Sequence, residues 1–99
     1  MQRGEIRWYR FDNPDKRRPV VILTRDSTLK FLGETTVAPV TRTIRNIPSE
    51  ALLSGLDGLP HDCAINFDHI QTVTKNKLGA LAAKLDESRM GDVRNSFSR

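Results

Sequence analysis

Short apolar runs separated by polar turns fill most of the chain up to Leu85. Val20-Val21-Ile22-Leu23 is a continuous β-prone run, typical of a buried strand. Ile6-Arg7-Trp8-Tyr9-Arg10-Phe11 mixes aromatic residues with alternating arginines, which is typical of a strand with one solvated face. The whole pattern predicts six short strands, over residues 6–11, 20–23, 35–41, 49–53, 63–67 and 70–73, and a seventh strand or extended segment over residues 80–85.

The connections between these strands carry their own signals. Residues 12–16 combine Asp, Asn and Pro and predict a turn. Residues 24–33 form a polar connection that we expect to contain a short helix, and residues 75–78 predict one helical turn. Proline restricts two strands: Pro19 is expected to open the second strand, and Pro39 is expected to need an edge or a bulge in the third.

The last segment has the signals of a helix start. Asp86 suits the N-cap, and Leu85 and Met90 fall at the positions of a hydrophobic staple. Met90, Val93 and Phe97 then share one helical face. Many short strands followed by one terminal helix predict a mainly β (α+β) fold, a small barrel with a packed C-terminal helix, formed by residues 1–99 as a single domain.

Charge is distributed unevenly along the 99 residues, whose net charge is +4. Residues 1–46 hold 10 Lys and Arg against 5 Asp and Glu, whereas residues 47–99 hold 6 against 7. A basic half favours a polyanionic partner, because cationic side chains release counterions from phosphates. A dispersed excess of surface arginine explains the composition equally well.

Composition also bears on disulfides, on the cellular compartment and on metal binding. Cys63 is the only cysteine, so no internal disulfide is possible. No signal-peptide pattern or long apolar stretch is present, and we expect a soluble cytoplasmic protein without membrane contact. Two histidines and one cysteine lack metal-ligand spacing, so neither a metal nor another cofactor is expected.

A candidate site follows from two neighbouring runs, Arg17-Arg18-Pro19-Val20-Val21-Ile22-Leu23 and Val37-Ala38-Pro39-Val40-Thr41. Strands this close in sequence usually lie side by side, so Arg18 and Thr41 are expected to converge on one surface. A guanidinium beside a hydroxyl is suited to gripping a phosphodiester. The structural alternative for Arg18 is an ion pair with Asp15 or Glu34.

The chain resembles the MazF/PemK family of toxin endoribonucleases from bacterial toxin–antitoxin systems. The resemblance spans nearly the whole chain in the order Arg3-Gly4-Glu5-Ile6 with Trp8, Arg18 to Leu23, Val37 to Thr41, and Asp62 to Lys75. It implies an SH3-like barrel of the MazF/CcdB type that forms a symmetric homodimer. It further implies metal-independent, sequence-specific cleavage of single-stranded RNA through a 2′,3′-cyclic phosphate, and a cognate antitoxin with an acidic extended tail.

Carried over by position, the resemblance assigns catalysis to Arg18 and Thr41. Lys16, Arg17 and Arg42 flank this pair and are expected to line the RNA path. Asn66 is expected to read a base edge, because an amide both donates and accepts hydrogen bonds. Asp68 and His69 complete the predicted RNA-binding set.

Three further residues lie in the motifs of the resemblance or next to them, and each has a structural and a functional interpretation. Trp8 is expected to pack in the core or at a dimer interface, with base stacking as the alternative. Cys63 is expected to be a buried small residue. His61 is expected to be a loop residue without a catalytic role, which leaves His69 as the candidate titrating group near neutral pH.

Two alternatives to the endoribonuclease stay open. One is a non-enzymatic toxin of the same fold that binds and poisons DNA gyrase. Its C-terminal helix would have to end in an apolar tail, and here the chain ends Ser96-Phe97-Ser98-Arg99. The other is an RNA-binding module without cleavage, because Asn66 stands where some relatives place a catalytic arginine and no general base is evident.

Overall fold

The computed structural model describes residues 1–11 and 16–97, and within them the chain forms seven strands and two α-helices. The predicted turn at 12–16 falls mostly outside the described residues. The strands are β1 Glu5–Phe11, β2 Lys16–Ile22, β3 Glu34–Thr41, β4 Glu50–Leu53, β5 Cys63–Asn66, β6 Gln71–Thr74 and β7 Leu78–Lys84. The helices are α1 Asp26–Leu29 and α2 Glu87–Phe97, and single 3₁₀ turns span Gly55–Asp57, Phe67–His69 and Lys75–Lys77.

All the strand pairs are antiparallel, and the strands are ordered β4-β5-β3-β2-β1-β7 with β6 also pairing with β3. β3 is therefore the centre of the sheet. It pairs with β2 on one side, and on the other side first with β6 and then with β5. The predicted mainly β fold with a C-terminal helix is confirmed.

Pro39 lies in this central strand, so of the two settings predicted from sequence, an edge or a bulge, the edge is wrong. The β6 ladder ends at Val37 and the β5 ladder begins at Val40, so Pro39 occupies the gap where β3 changes partners. A residue without an N–H is tolerated there because that side carries no ladder. Pro19 also differs from expectation: β2 begins at Lys16, three residues earlier, and the β2–β3 ladder starts only after Pro19.

The hydrophobic core is divided between the two faces of the sheet. Val21 packs into the larger cluster with Ile6 and Ile65, whereas its neighbours Val20 and Ile22 pack into the smaller one. Successive strand residues point to opposite faces, so a strand buried on both faces must be apolar at consecutive positions. This explains the continuous apolar run in β2.

The start of α2 matches the signals in the sequence. The backbone N–H of Arg89 donates to Asp86 Oδ1 at 2.8 Å, which is the N-cap geometry. Leu85 and Met90 are both buried in the larger core cluster with Val93. The side chain of Phe97, predicted on the same face, lies outside the described part of the structure. None of the described helices is both long enough and apolar enough to span a membrane.

Gly4 joins the N-terminal segment to the start of α2. Its φ is +91°, and a Cβ at this position would lie 2.5 Å from the carbonyl oxygen of Leu85. The backbone of Gly4 donates to Ile22 O and accepts from Leu85 N, both at 2.9 Å. Only glycine fits both the backbone angle and this close approach, so a larger residue would push α2 away from the sheet.

Candidate active site

The register of the two central strands brings Arg18 and Thr41 together. Ile22 pairs with Val37 and Val20 with Pro39, where the ladder ends. Arg18 lies two residues beyond this end on β2 and Thr41 two residues beyond it on β3, and both line one cavity. The side chain of Arg18 is exposed and that of Thr41 is half-buried. The predicted convergence of these two residues is what the structure has.

Arg18 and Thr41 line one cavity of about 700 Å³ at this end of the sheet. Such a volume lies within the range of about 300–1,000 Å³ typical of ligand sites. Its ionisable side chains are those of Arg17, Arg18, Arg42, His61 and Cys63, and no carboxylate lines it among the described residues. The cavity is therefore suited to an anion.

Thr41 has a defined hydrogen-bonding role within the cavity. Its Oγ1 accepts from the backbone N–H of Thr43 at 3.1 Å. A hydroxyl has one proton to donate beside its acceptor lone pairs, so this contact orients the side chain and leaves the proton for a ligand oxygen. Arg18 has no ion pair in residues 1–11 and 16–97, Glu34 included, and the alternative partner Asp15 lies outside them.

The wall of the cavity is apolar, with Trp8 as its largest member. Trp8 is half-buried and belongs to neither core cluster. Of the two settings expected for it, core or dimer interface, the core is therefore wrong, and the interface stays a prediction. The guanidinium of Arg17 lies 5.4 Å from the centre of its ring, within cation–π range. The remaining apolar lining comes from Pro19, Val40, Leu59, Pro60 and Ala82.

His61 and Cys63 belong to the same cavity, although the sequence analysis gave neither a role there. Cys63 opens β5 and is buried, as expected. Burial, and then the charges of Asp57 and Asp62, raise the pKa of its thiol. His61 lies in the predicted loop and is exposed. The sequence signal that could have found both residues is their position: His61 comes just before β5 and Cys63 begins it, and β5 neighbours β3.

Asn66 and Asp68 are engaged in local structure and not in the cavity. Asn66 pairs with Glu50 at the far end of β5, three residues beyond Cys63, or about 10 Å at 3.3 Å per residue. The buried Asn66 side chain accepts from the backbone N–H of Asp68 at 2.9 Å. Asp68 Oδ2 in turn accepts from Ser49 Oγ at 2.8 Å and lies 3.9 Å from Arg45 Nη2.

This network extends to the buried carboxylate of Glu50. It accepts from the backbone N–H of Arg45 at 2.9 Å and from Arg45 Nε at 3.2 Å. The Asn66 oxygen accepts from Asp68, and base reading by Asn66, which lies outside the cavity lining, stays a prediction. His69 is exposed and outside the cavity lining, and RNA contact by Asp68 or His69 stays a prediction.

The other predicted residues divide as follows. Arg17 and Arg42 line the cavity beside Arg18, whereas the side chain of Lys16 lies outside the described residues. No group of three or more His, Cys, Asp or Glu side chains suited to hold a metal ion occurs in the part of the chain that the structure describes.

Comparison with known proteins places this fold and cavity in a family. Residues 2–99 match the model of the PemK-like, MazF-like toxins of type II toxin–antitoxin systems. The probable endoribonuclease MazF2 of Mycobacterium tuberculosis is 35% identical over 94 residues, covering 94% of this chain and 90% of that protein. The probable endoribonuclease MazF5 of the same species is 41% identical over 85 residues, covering 81% of this chain and 77% of that protein.

Solved structures agree with these relatives. The M. tuberculosis toxin MazF-mt6 superposes with a TM-score of 0.83 at 30% identity, covering 95% of this chain and 92% of that one. A mycobacterial endoribonuclease in complex with its cognate antitoxin has a TM-score of 0.86 at 19% identity, covering 99% and 91%, and supports the fold alone.

The antiparallel sheet with its C-terminal helix, together with these matches, thus defines a toxin of the type II toxin–antitoxin class, and the chain belongs to the PemK-like, MazF-like family. Within that family it is an endoribonuclease of the MazF kind, as its curated relatives are named. The gyrase-binding alternative is not favoured, because those names describe nucleases.

Proposed function

We propose that this toxin cleaves single-stranded RNA, without a metal ion, in the cavity around Arg18 and Thr41. The proposal rests on one observation: the Arg18 guanidinium, which has no ion pair with a described residue, and the oriented Thr41 hydroxyl line one cavity that no described carboxylate lines. Cleavage would leave a 2′,3′-cyclic phosphate and a 5′-hydroxyl, and loss of messenger RNA in the cytoplasm would stop translation and growth.

Arg18 and Thr41 act on the phosphate in this proposal. The planar fork of Arg18 binds two phosphate oxygens and offsets the negative charge that grows as the 2′-oxygen attacks. The Thr41 hydroxyl, held by the N–H of Thr43, donates its proton to an oxygen of the same phosphate. Both contacts strengthen as charge accumulates, so they favour the transition state over the bound RNA.

Arg17 and Arg42 extend the cationic lining along the RNA path, and Lys16, the first residue of β2, is proposed to bind RNA with them. The Trp8 ring offers an aromatic surface for a base next to the scissile phosphate, with Arg17 above it. These side chains are proposed to bind RNA, whereas Arg18 and Thr41 are proposed to act on the phosphodiester.

The expected partners follow from the same charges. An antitoxin with an acidic, extended tail would neutralise the cationic cavity. A mycobacterial endoribonuclease of the same fold has been solved in complex with its cognate antitoxin. A symmetric homodimer would present two such cavities about one two-fold axis. Light scattering after size-exclusion chromatography measures this state, and a monomeric mass would contradict it.

The function is tested by incubating the purified protein with a long single-stranded RNA in excess EDTA and mapping the cut ends by primer extension. Discrete cuts at a recurring short sequence support the proposal. Intact RNA, with binding retained in a gel-shift assay, would instead identify an RNA-binding module without cleavage. Intact RNA without binding would remove RNA as the substrate.

Arg18→Ala separates catalysis from folding. We expect cleavage to fall about 100- to 1,000-fold, the usual effect of removing one charge-stabilising donor. Circular dichroism should remain that of the parent protein, because an exposed arginine contributes little to packing. The matched control is Arg25→Ala, an exposed arginine outside the cavity, which should cleave at the parental rate. Full activity of Arg18→Ala would disprove the assignment.

A further inference from the structure

The proposed cleavage needs a group that accepts the proton of the attacking 2′-hydroxyl, and the cavity restricts which residue that is. Among the described residues, its ionisable side chains are those of three arginines, Cys63 and His61. Arginine stays protonated and cannot serve as a base. Cys63 is buried and burial raises the pKa of its thiol, so it keeps its proton at neutral pH.

We infer that His61 is a catalytic residue of this toxin, the general base that takes the proton of the 2′-hydroxyl. The inference rests on the proposed function, because it assigns a role within that reaction. Histidine is the side chain that ordinarily changes charge between about pH 5 and 8, and its neutral form has a free nitrogen lone pair. His69, the histidine favoured from sequence, does not line the cavity.

The surrounding backbone holds His61 at the cavity while leaving its ring open. Leu59 and Cys63, two residues to either side, are buried in the larger core cluster and anchor the segment. The preceding 3₁₀ turn is closed by a capping box between Ser54 and Asp57, and ends at Gly58 in the left-handed region. His61 itself is exposed, as a group that meets RNA must be.

The pairing of β5 with β3 brings this segment to the active site. Thr41 pairs with Ala64 where β3 ends, and Cys63 and His61 come just before Ala64 in the chain, so this segment reaches the cavity that Thr41 lines. The charged and titratable groups that line the cavity with His61 are, in the described part of the chain, Arg17 and Arg18 from β2, Arg42 after β3, and Cys63 of β5. Two carboxylates lie next to this segment without lining the cavity, those of Asp62, the chain neighbour of His61, and of Asp57 in the 3₁₀ turn.

The cleavage step needs no reagent other than water. The imidazole takes the 2′-hydroxyl proton while a bond forms between the 2′-oxygen and phosphorus. The bond between phosphorus and the 5′-oxygen breaks, and its electron pair goes to that oxygen, which receives a proton from water. The imidazolium then returns its proton to the hydroxide that remains. Arg18 and Thr41 hold the phosphate throughout.

His61→Gln tests the inference in single-turnover cleavage of a single-stranded RNA. We expect the cleavage rate to fall about 100- to 10,000-fold, the usual contribution of a general base. Affinity for the same RNA with a 2′-deoxy nucleotide at the cut site, which cannot be cleaved, should stay within about two-fold, less than about 0.5 kcal/mol. Added imidazole should partly restore cleavage by His61→Ala.

The pH dependence distinguishes a base from a residue that only shapes the site. The parent protein should lose activity as pH falls, because protonated imidazole accepts no proton, whereas His61→Gln should lack this acidic limb. His69→Gln is the matched control and should keep the acidic limb, whatever it does to RNA affinity. Circular dichroism of the His61 variants should match that of the parent.

Each remaining outcome decides the matter. If the parent cleaves and His61→Gln keeps the same rate and pH profile, His61 is not the base. If His61→Gln weakens RNA binding as much as cleavage, it is a binding residue and the inference is wrong. If the parent itself leaves RNA intact, the proposed function fails, which is a separate result from failure of the His61 assignment.

Discussion

Thr41 and Cys63 lie on neighbouring strands at the same cavity, and their surroundings affect them in different ways. The Thr41 hydroxyl accepts from a backbone N–H and keeps its own proton available. The Cys63 thiol is buried at the start of β5, near Asp57 and Asp62, and its pKa is raised by burial first and by these charges second. The Thr41 hydroxyl can therefore donate to a ligand, whereas the Cys63 thiol stays uncharged at neutral pH.

The raised pKa of Cys63 makes stability depend on pH in the alkaline range. The folded protein holds the thiol proton more tightly than the unfolded chain, whose thiol has the ordinary value of 9.0. The stabilisation is therefore complete below 9.0 and is lost as pH rises from that value through the higher pKa of the folded protein. Urea unfolding of the parent should show a steeper fall in stability above about pH 9 than that of Cys63→Ala. Parallel curves would contradict this assignment.

Single elements also depend on a few polar contacts. Residues 42–49, which connect β3 to β4, have no helix or strand and carry Arg42 and Thr43 of the cavity. The buried carboxylate of Glu50 accepts from both the backbone and the guanidinium of Arg45. A buried carboxylate with two such contacts ties the connection to β4 and thereby supports one wall of the active site.

Glu50→Gln should loosen this connection. An amide loses the charge that strengthens both contacts, so we expect a loss of about 1.5–3 kcal/mol in the free energy of unfolding. Amide hydrogen exchange at Arg45 should become faster than in the parent. Glu34→Gln removes an exposed carboxylate from β3 and is the matched control. Unchanged exchange at Arg45 in the Glu50 variant would show that the connection is held by other contacts.

The start of α2 offers a second element-scale test. Asp86→Ala removes the acceptor for the Arg89 N–H and should cost about 1 kcal/mol of stability. Asp86→Asn keeps a capping oxygen and should lose much less. Urea denaturation of both variants measures the difference. Equal losses would show that the charge of Asp86, and not its cap, stabilises this helix.

At the scale of the whole molecule, the fold gathers the uneven charge of the sequence at one cavity. The three arginines of the cavity, Arg17, Arg18 and Arg42, all come from the basic first half of the chain. The fold joins β2 to the end of β3 and so concentrates them in one place. The net charge of the chain is only +4, but the positive electrostatic potential is concentrated at the cavity.

Binding of single-stranded RNA should therefore weaken steeply with salt. Each phosphate neutralised contributes about −0.7 to the slope of log K against log salt. Arg42→Ala should reduce the magnitude of this slope by about 0.7, measured with the 2′-deoxy-substituted RNA. Lys77→Ala, an exposed cation outside the cavity, should leave the slope unchanged. Equal slopes for the parent and Arg42→Ala would remove Arg42 from the RNA path.

The sequence by itself determined the features that depend on neighbouring residues. The seven strands, the capped start of α2 and the convergence of Arg18 with Thr41 all follow from local periodicity and from two strands that are consecutive along the chain. The family resemblance was equally readable, because its residues occur in order along the chain.

Only the tertiary structure decided what depends on distant pairing. Pro39 is tolerated in a central strand because β3 changes partners there. Asp68 contacts Ser49, and His61 reaches the cavity through the pairing of β5 with β3. Local propensity does not specify such contacts, since they are selected by which arrangement of strands buries the most apolar surface and satisfies the most backbone groups.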